Sequence, residues 1–354
     1  MAIKQHYVPQ LLLRKWSRDG ASINVYQLDK NEPISKASIK GQAQERYYYG
    51  KDQKIENLYQ TLETEVSPVI NKLLSEDIKL TMEEKRSLYH FIAIQNSRTP
   101  RIINILNDNA TVMAKNYLKL SKKFKDKENV LDSLKVSMNH GEAWQLLMYL
   151  HTIPALLDLQ FILLRADENN PFVIGQAPAI LLNPYLYEKK WPESRNGIGL
   201  KGVFFEMPIS PLYTICLYDN STYSITEKSK IISLSNDEIN LINLCQFFST
   251  ENCIYYYDWD ESFKLFNTQA ELYRKNEKVK VENFQNIHNE NDILSIMSNI
   301  EYPVEPKFSF LGIKQKAYFE KLTKSSVIRQ AAINAHEFAA AYYKTFPGME
   351  KIIK

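Results

Sequence analysis

The period of the apolar residues changes near residue 154 and divides the chain into two kinds of segment. Before that point it is helical. From Pro9 to about Trp16, residues Leu12, Leu13 and Trp16 form one apolar stripe while Gln10 and Arg14 share another face. Pro9 suits a first helical turn, where its missing N–H would be unpaired anyway. Ile55, Leu58, Leu62, Val66, Val69 or Ile70, and Leu73 recur at three and four residues, which predicts an amphipathic helix kinked at Pro68. Thr81 with Glu84 three residues on predicts a capped helix carrying Leu88, Phe91, Ile92 and Gln95 and ending at Thr99-Pro100. Pro100 opens another helix with Ile102, Ile105, Leu106, Met113 and Tyr117 inward, and 130–152 reads as helical again. Strand-like pieces interrupt this half at Ile23–Tyr26 and at Arg46–Tyr49.

After Pro154 short apolar runs replace the helical spacing. Leu159–Leu164, Phe172–Ile174, Val203–Met207, Leu212–Leu217 and Lys230–Leu234 read as buried or half-buried strands separated by turn residues. Asn236 or Ser235 caps a helix to about Phe248, followed by a strand at Cys253–Tyr257 and a helix from Asp260. An Ala-rich helix from Ser325 or Ser326 to about Tyr343 comes last. Successive strands with short connections favour antiparallel pairing. The expected fold is therefore α+β: a helical N-terminal lobe packed on a mainly antiparallel β-sheet with flanking helices. The expected division is 1–153, mainly helical; 154–300, mixed sheet and helix; and 301–354, a basic segment with a terminal helix packed on the rest.

Composition narrows the class. A chain of 354 residues fits more than one packed lobe, and 44% apolar residues is ordinary for a folded protein. No apolar run approaches the ~20 residues of a spanning helix, so no membrane partner is expected. The opening MAIKQHYVPQ lacks a signal-peptide core, which predicts a cytoplasmic protein. The three cysteines, Cys216, Cys245 and Cys253, have no CxxC spacing, so neither a disulfide framework nor a zinc knuckle is expected. Abundant Lys, Asn, Ile and Tyr resemble the coding bias of an AT-rich bacterial genome.

The net charge of +3 is too small to argue for nucleic acid by itself. Its distribution is uneven. Basic residues collect at Lys115–Lys127 and again at Lys307–Arg329, with an acidic stretch over 281–306 between them. The basic segments are candidate surfaces for a nucleic acid or nucleotide, or solvated faces.

Familiar catalytic strings are missing. With ten glycines the chain builds neither GxxxxGK[ST] nor GxGxxG, and it has no GxSxG elbow. His336-Glu337 begins an HExxH-like string, but Ala340 stands where the second histidine would be. Glu188-Lys189-Lys190 has the letters of a nuclease core in a loop-like stretch. His90 and His151 sit beside apolar neighbours and read as core or surface histidines. The runs Tyr47–Tyr49 and Tyr255–Tyr257 read as sheet packing rather than base-stacking platforms. The cofactor and the oligomeric state are left open.

One pattern is more specific. His6-Tyr7-Val8-Pro9-Gln10, followed by Leu13-Arg14, and later Gln95 with Arg98-Thr99-Pro100, resemble the opening and the Gln-x-x-Arg-Thr-Pro string of the bacterial family known as domain of unknown function 4238. Glu56 and Glu63 look like that family's spaced glutamates, and Met207–Pro211 resembles its Met-Pro-Leu-Ser-Pro. Gln176-Ala177-Pro178 departs from it, because the resemblance implies an acid at 176. The likeness extends from near residue 4 to about 257 and implies no established reaction.

The candidate site is His6, Gln10, Arg14, Glu63, Gln95 and Arg98, with Glu56 as an alternative carboxylate. Arginines supply planar bidentate donors for phosphate or carboxylate, glutamines a directional donor and acceptor, and His6 a general acid or base near neutral pH. Two readings stand side by side. In one, the protein is an enzyme acting on a phosphate-containing substrate, nucleic acid or nucleotide, as a nuclease-like hydrolase with Arg14 and Arg98 as the anion clamp. In the other, it is a non-enzymatic binding or sensor module whose polar cluster staples helices together.

Overall fold

The computed structural model describes residues 4–119, 128–137, 141–276, 280–286, 295–301, 304–334 and 337. The chain opens with β1 (Lys4–His6) and α1 (Gln10–Leu13), which tightens into a 3₁₀ turn at Arg14–Trp16. Then come β2 (Ser22–Gln27), β3 (Glu32–Ser38) and β4 (Gln44–Arg46), followed by α2 (Lys54–Leu74), α3 (Met82–Ser97), α4 (Pro100–Lys119), α5 (Glu128–Ser133) and α6 (Gly141–Thr152). The second half contains β5 (Gln160–Arg165), β6 (Ile180–Leu182), α7 (Pro184–Glu188), β7 (Phe204–Pro208), β8 (Tyr213–Tyr218), β9 (Tyr223–Ile225) and β10 (Ile231–Ser233). It continues with α8 (Asn236–Ser249), β11 (Cys253–Tyr256), α9 (Glu261–Asn276), β12 (Lys280–Asn286), β13 (Ser295–Glu301), β14 (Leu311–Ile313) and α10 (Gln315–Phe319). The fold is α+β.

The main sheet has five strands in the order β10-β5-β8-β7-β6, antiparallel throughout except for the parallel β10–β5 pair. Side chains alternate across it, as the period of two requires. Phe161, Leu163, Phe205, Ile215 and Leu217 join a core with α1, α2 and α3, through Leu12, Trp16, Val66, Ile70, Phe91 and Ile92. That core runs across residue 153. Ile162, Leu164, Phe204 and Cys216 face the other way, against Ile239, Ile242 and Cys245 of α8 and against Phe308, Phe310 and Ala317. A sheet covered on both faces has near-continuous apolar strands, which is why Phe161–Leu164 and Ile215–Leu217 show no polar alternation.

A second sheet, β11-β2-β3, joins distant parts of the chain: Cys253 lies opposite Gln27 and Tyr256 opposite Asn24. The indole of Trp16 donates to the Phe172 carbonyl at 2.8 Å, fixing the end of the α1 turn to the second half. Thr81 and Ser235 each complete a capping box, with Glu84 and Glu238 respectively.

Several expectations change. The strand expected over Arg46–Tyr49 ends at Arg46, because Tyr47 adopts a left-handed φ of 55° and turns the chain. Tyr49 then turns inward and meets the Tyr59 ring edge-on at 5.0 Å. Phe172–Ile174 forms only a single bridge, Ile174 to Tyr255. Side chains of α8 replace its ladder: Asn243 Oδ1 accepts from Val173 N–H and Gln246 Oε1 from Gly175 N–H, at 2.9 and 3.0 Å. The helix expected over 130–152 is two helices, α5 and α6. Ser325 and Ser326 lie in a turn and the chain is helical over 330–334; of the remaining expected helix, 335–336 and 338–343, His336 among them, lie outside the described residues. Among the described residues no helix is long and apolar enough to cross a membrane.

Candidate functional site

The site begins with the alternation of β1. Paired to β4, with His6 opposite Gln44, this strand turns Gln5 inward and His6 toward solvent. Gln5 holds the following turn by accepting from Tyr49 N–H at 2.6 Å and donating to the Gly50 carbonyl at 3.1 Å. Leu12, Leu13 and Trp16 bury one face of the α1 turn and leave Gln10 and Arg14 on the other. Arg14 Nη2 donates to Gln10 Oε1 at 2.8 Å, and Gln10 Nε2 lies 3.3 Å from His6 Nε2.

The facing wall is α2. Tyr59, Val66, Ile70 and Leu73 turn into the core, while Glu56, Gln60, Glu63, Thr64, Ser67 and Asn71 line an open groove of about 660 Å³ together with His6, Gln10, Leu11, Arg14 and Pro68. At 1.5 Å per residue, Glu56 to Asn71 spans about 22 Å of helix. Lys15 Nζ donates to Asn71 Oδ1 at 2.8 Å at the far end. Pro68 has no N–H to offer the Thr64 carbonyl, and both residues border the groove.

Two groups in the groove titrate away from their ordinary values. Burial lowers the His6 pKa, opposed by a hydrogen bond to the Lys40 backbone and reinforced by the positive charges of Arg98, Lys4 and Arg14. Burial raises the Glu56 pKa; a hydrogen bond from Gln60 at 3.0 Å and the charge of Arg98 oppose the rise, and Glu63 adds to it.

Gln95 and Arg98 do not line the groove. Both are fully buried beneath α2. Arg98 Nη1 donates to Glu63 Oε1 at 2.7 Å, and with the Gln95 amide oxygen turned toward it the guanidinium also donates through Nη2 and Nε at 2.7 and 3.2 Å. It stands over the Tyr59 ring, 5.4 Å from its centre. Burial works against the charge, yet Glu63, with Tyr49 and Tyr59 beside it, more than compensates, and the Arg98 pKa lies above its usual value. Glu63 thus faces the groove but turns its carboxylate to Arg98, while the His6 ring is held by Gln10 and the Lys40 backbone.

The other candidates fall elsewhere. Lys115 donates to the Asp132 carbonyl, and 120–127 lie outside the described residues. In the second basic segment Lys307 pairs with Glu305 and Lys324 with Glu193, while Arg329 is buried against Asp158 and the carbonyls of Ala155 and Ile198. His90 meets the Tyr149 hydroxyl. Gln176 donates to the Tyr7 hydroxyl at 2.8 Å and accepts from Asn252 N–H at 3.0 Å, tying its loop to the residue after His6. Among the described residues no cluster of three or more His, Cys, Asp or Glu is placed to hold a metal ion.

The family described as a protein of unknown function (DUF4238) matches residues 4–260. The chain belongs to this family. No curated protein and no solved structure matches it. Both walls of the groove and the buried layer beneath fall within the matched span.

Sequence reasoning missed the middle of the α2 wall. Gln60, Thr64, Ser67 and Asn71 extend Glu56 and Glu63 into a polar stripe at four- and three-residue steps beside the apolar one. That stripe was visible in the spacing, and only its covering partner was not.

Proposed function

We propose that this family member is a general acid–base enzyme acting on a phosphate-containing substrate, a nucleotide or a nucleic acid strand, as a nuclease-like hydrolase. One observation carries the reading: His6 and Arg14 on one wall face Glu56 on the other across an open groove, although about fifty residues of sequence separate the walls. His6, with its pKa lowered, is neutral in the empty groove at pH 7 and is the group placed to exchange a proton with the bound substrate. Glu56 keeps its proton to a higher pH than an exposed glutamate and serves as the partner acid. Arg14 is the exposed cation for the phosphate. Arg98 supports the site from behind, holding Glu63 and biasing both titrating groups.

The test is turnover of a panel of nucleotides and short RNA and DNA strands, followed by product separation. Loss of either proton-transfer group, in His6→Ala or Glu56→Gln, is expected to lower the rate by about 10²-fold or more. Turnover undiminished in both variants would place the chemistry elsewhere. The dry pairing of Gln95, Arg98 and Glu63 favours a second reading, a binding or sensor module whose inner layer is a staple. Saturable nucleotide binding in the groove without any product would select that one.

A further inference from the structure

The hydrogen bonds along α1 leave Gln10 no freedom of orientation. Arg14 has only donors, so the amide must turn its oxygen toward Nη2, and at 2.8 Å it does. The amide nitrogen is thereby turned to His6 Nε2 at 3.3 Å, and since an amide nitrogen only donates, Nε2 must accept. The ring proton of the neutral imidazole therefore sits on Nδ1, which is left for the Lys40 backbone. This arrangement is incompatible with a protonated ring, because N–H groups would then confront each other across the His6–Gln10 contact. Turning the amide by half a rotation restores that contact but presents its nitrogen to Arg14, which must let go.

We infer that Gln10 couples the charge of His6 to the position of Arg14: protonation of the imidazole reverses the amide, releases the guanidinium into the groove, and readies it for a phosphate-type oxyanion. Anion binding then takes up one proton at His6 Nε2. The inference rests on the phosphate reading above for its ligand, and on the two hydrogen bonds for its mechanism. The groups around His6 agree with it. Lys4 on β1, Arg14 on the 3₁₀ turn after α1 and Arg98 behind α2 oppose protonation, while the Tyr49 hydroxyl binds the His6 carbonyl. Across the groove Glu63 is engaged by Arg98, and Glu56 remains the carboxyl facing the site. A bound oxyanion therefore adds the negative charge that a protonated His6 lacks. Gln10 is in this sense a positioning residue that also sets specificity for anions, through the proton they require.

The experiment uses sulfate, an oxyanion whose charge is constant from pH 5 to 8, titrated calorimetrically into the full chain in buffers of different ionisation enthalpy, with His6 and the Arg14 guanidinium followed by NMR. In the wild type neutral His6 should carry its proton on Nδ1, and the Arg14 signal should move with the His6 midpoint. Sulfate affinity should fall about tenfold per pH unit above that midpoint, with one proton taken up on binding. Gln10→Ala leaves Arg14 free at every pH, so its sulfate affinity at pH 8 should exceed the wild type's. Gln10→Glu accepts from both neighbours at once; it should raise the His6 midpoint, hold Arg14 throughout and lose sulfate binding. A neutral His6 protonated on Nε2, or an Arg14 signal indifferent to the His6 titration, would overturn the coupling. Linked His6 and Arg14 signals without sulfate binding at any pH would leave the coupling standing and remove the phosphate reading. Sulfate binding that ignores pH would do the reverse.

Discussion

Arg14 and Arg98 are each partnered by a glutamine within one helical turn, and the fold puts them to opposite uses. Arg14 and Gln10 stand on a turn at the edge of an open groove, joined by a single hydrogen bond that a ligand can replace. Arg98 and Gln95 lie under α2, where Glu63, Gln95 and the Tyr59 face enclose the guanidinium. The same pair of residue types is exchangeable when hydrated and fixed when dry, because an unpaired group costs little in water and several kcal/mol in a low-dielectric interior. The inner layer positions the wall, and the outer layer is free to work.

The strongest way to break this contrast is Glu63→Ala. It leaves the buried Arg98 charge without its carboxylate and should destabilise the chain by about 3–5 kcal/mol in urea unfolding, with Glu63→Gln intermediate. Unfolding close to wild type would show that Arg98 is not dry. Next is Gln95→Leu, which removes the acceptor of two guanidinium donors at nearly constant volume; about 1–3 kcal/mol should be lost. The outer layer predicts the opposite balance: Arg14→Ala should change stability by no more than about 0.5 kcal/mol while reducing oxyanion binding and turnover. A large loss of stability with binding retained would merge the two layers into one.

The smallest effect is in the pH dependence of stability. The lowered pKa of His6 means the unfolded chain holds that proton more tightly, so the contribution of the neutral ring is complete above its ordinary 6.5 and is lost as the pH falls through the folded value. Glu56 has the opposite sign: its raised pKa gives a contribution complete below 4.5 that fades as the pH rises through the folded value. Urea midpoints measured against pH should therefore flatten on the acid side in His6→Asn, and above 4.5 in Glu56→Gln. Curves unchanged by both substitutions would place the two groups in bulk-like water.

Local chemistry made much of this legible in advance. Thr81 with Glu84 announced α3, because a cap is a contact between residues three apart, and Asn236 or Ser235 announced a helix start, which the structure gives to Ser235. The apolar runs of β5, β7 and β8 announced a buried sheet. Turn geometry was less visible: Tyr47 has the letters of a strand and a left-handed φ of 55°. The Phe172–Ile174 run was apolar because it is buried, while its N–H groups go to three separate partners: the Pro211 carbonyl, the Asn243 side chain some seventy residues later and the Tyr255 carbonyl.

By itself the sequence determined the α+β class, the elements whose periods are unambiguous, and that Gln10 and Arg14 would lie on one short face, since spacing alone sets which residues of a helix share a side. Only the tertiary structure decided which polar face would be wet. The partner that covers a surface comes from far along the chain, as β11 does for β2 and α2 does for Arg98, and burial, the quantity that turns an arginine into a staple or a ligand hand, depends on that partner rather than on any neighbour in sequence.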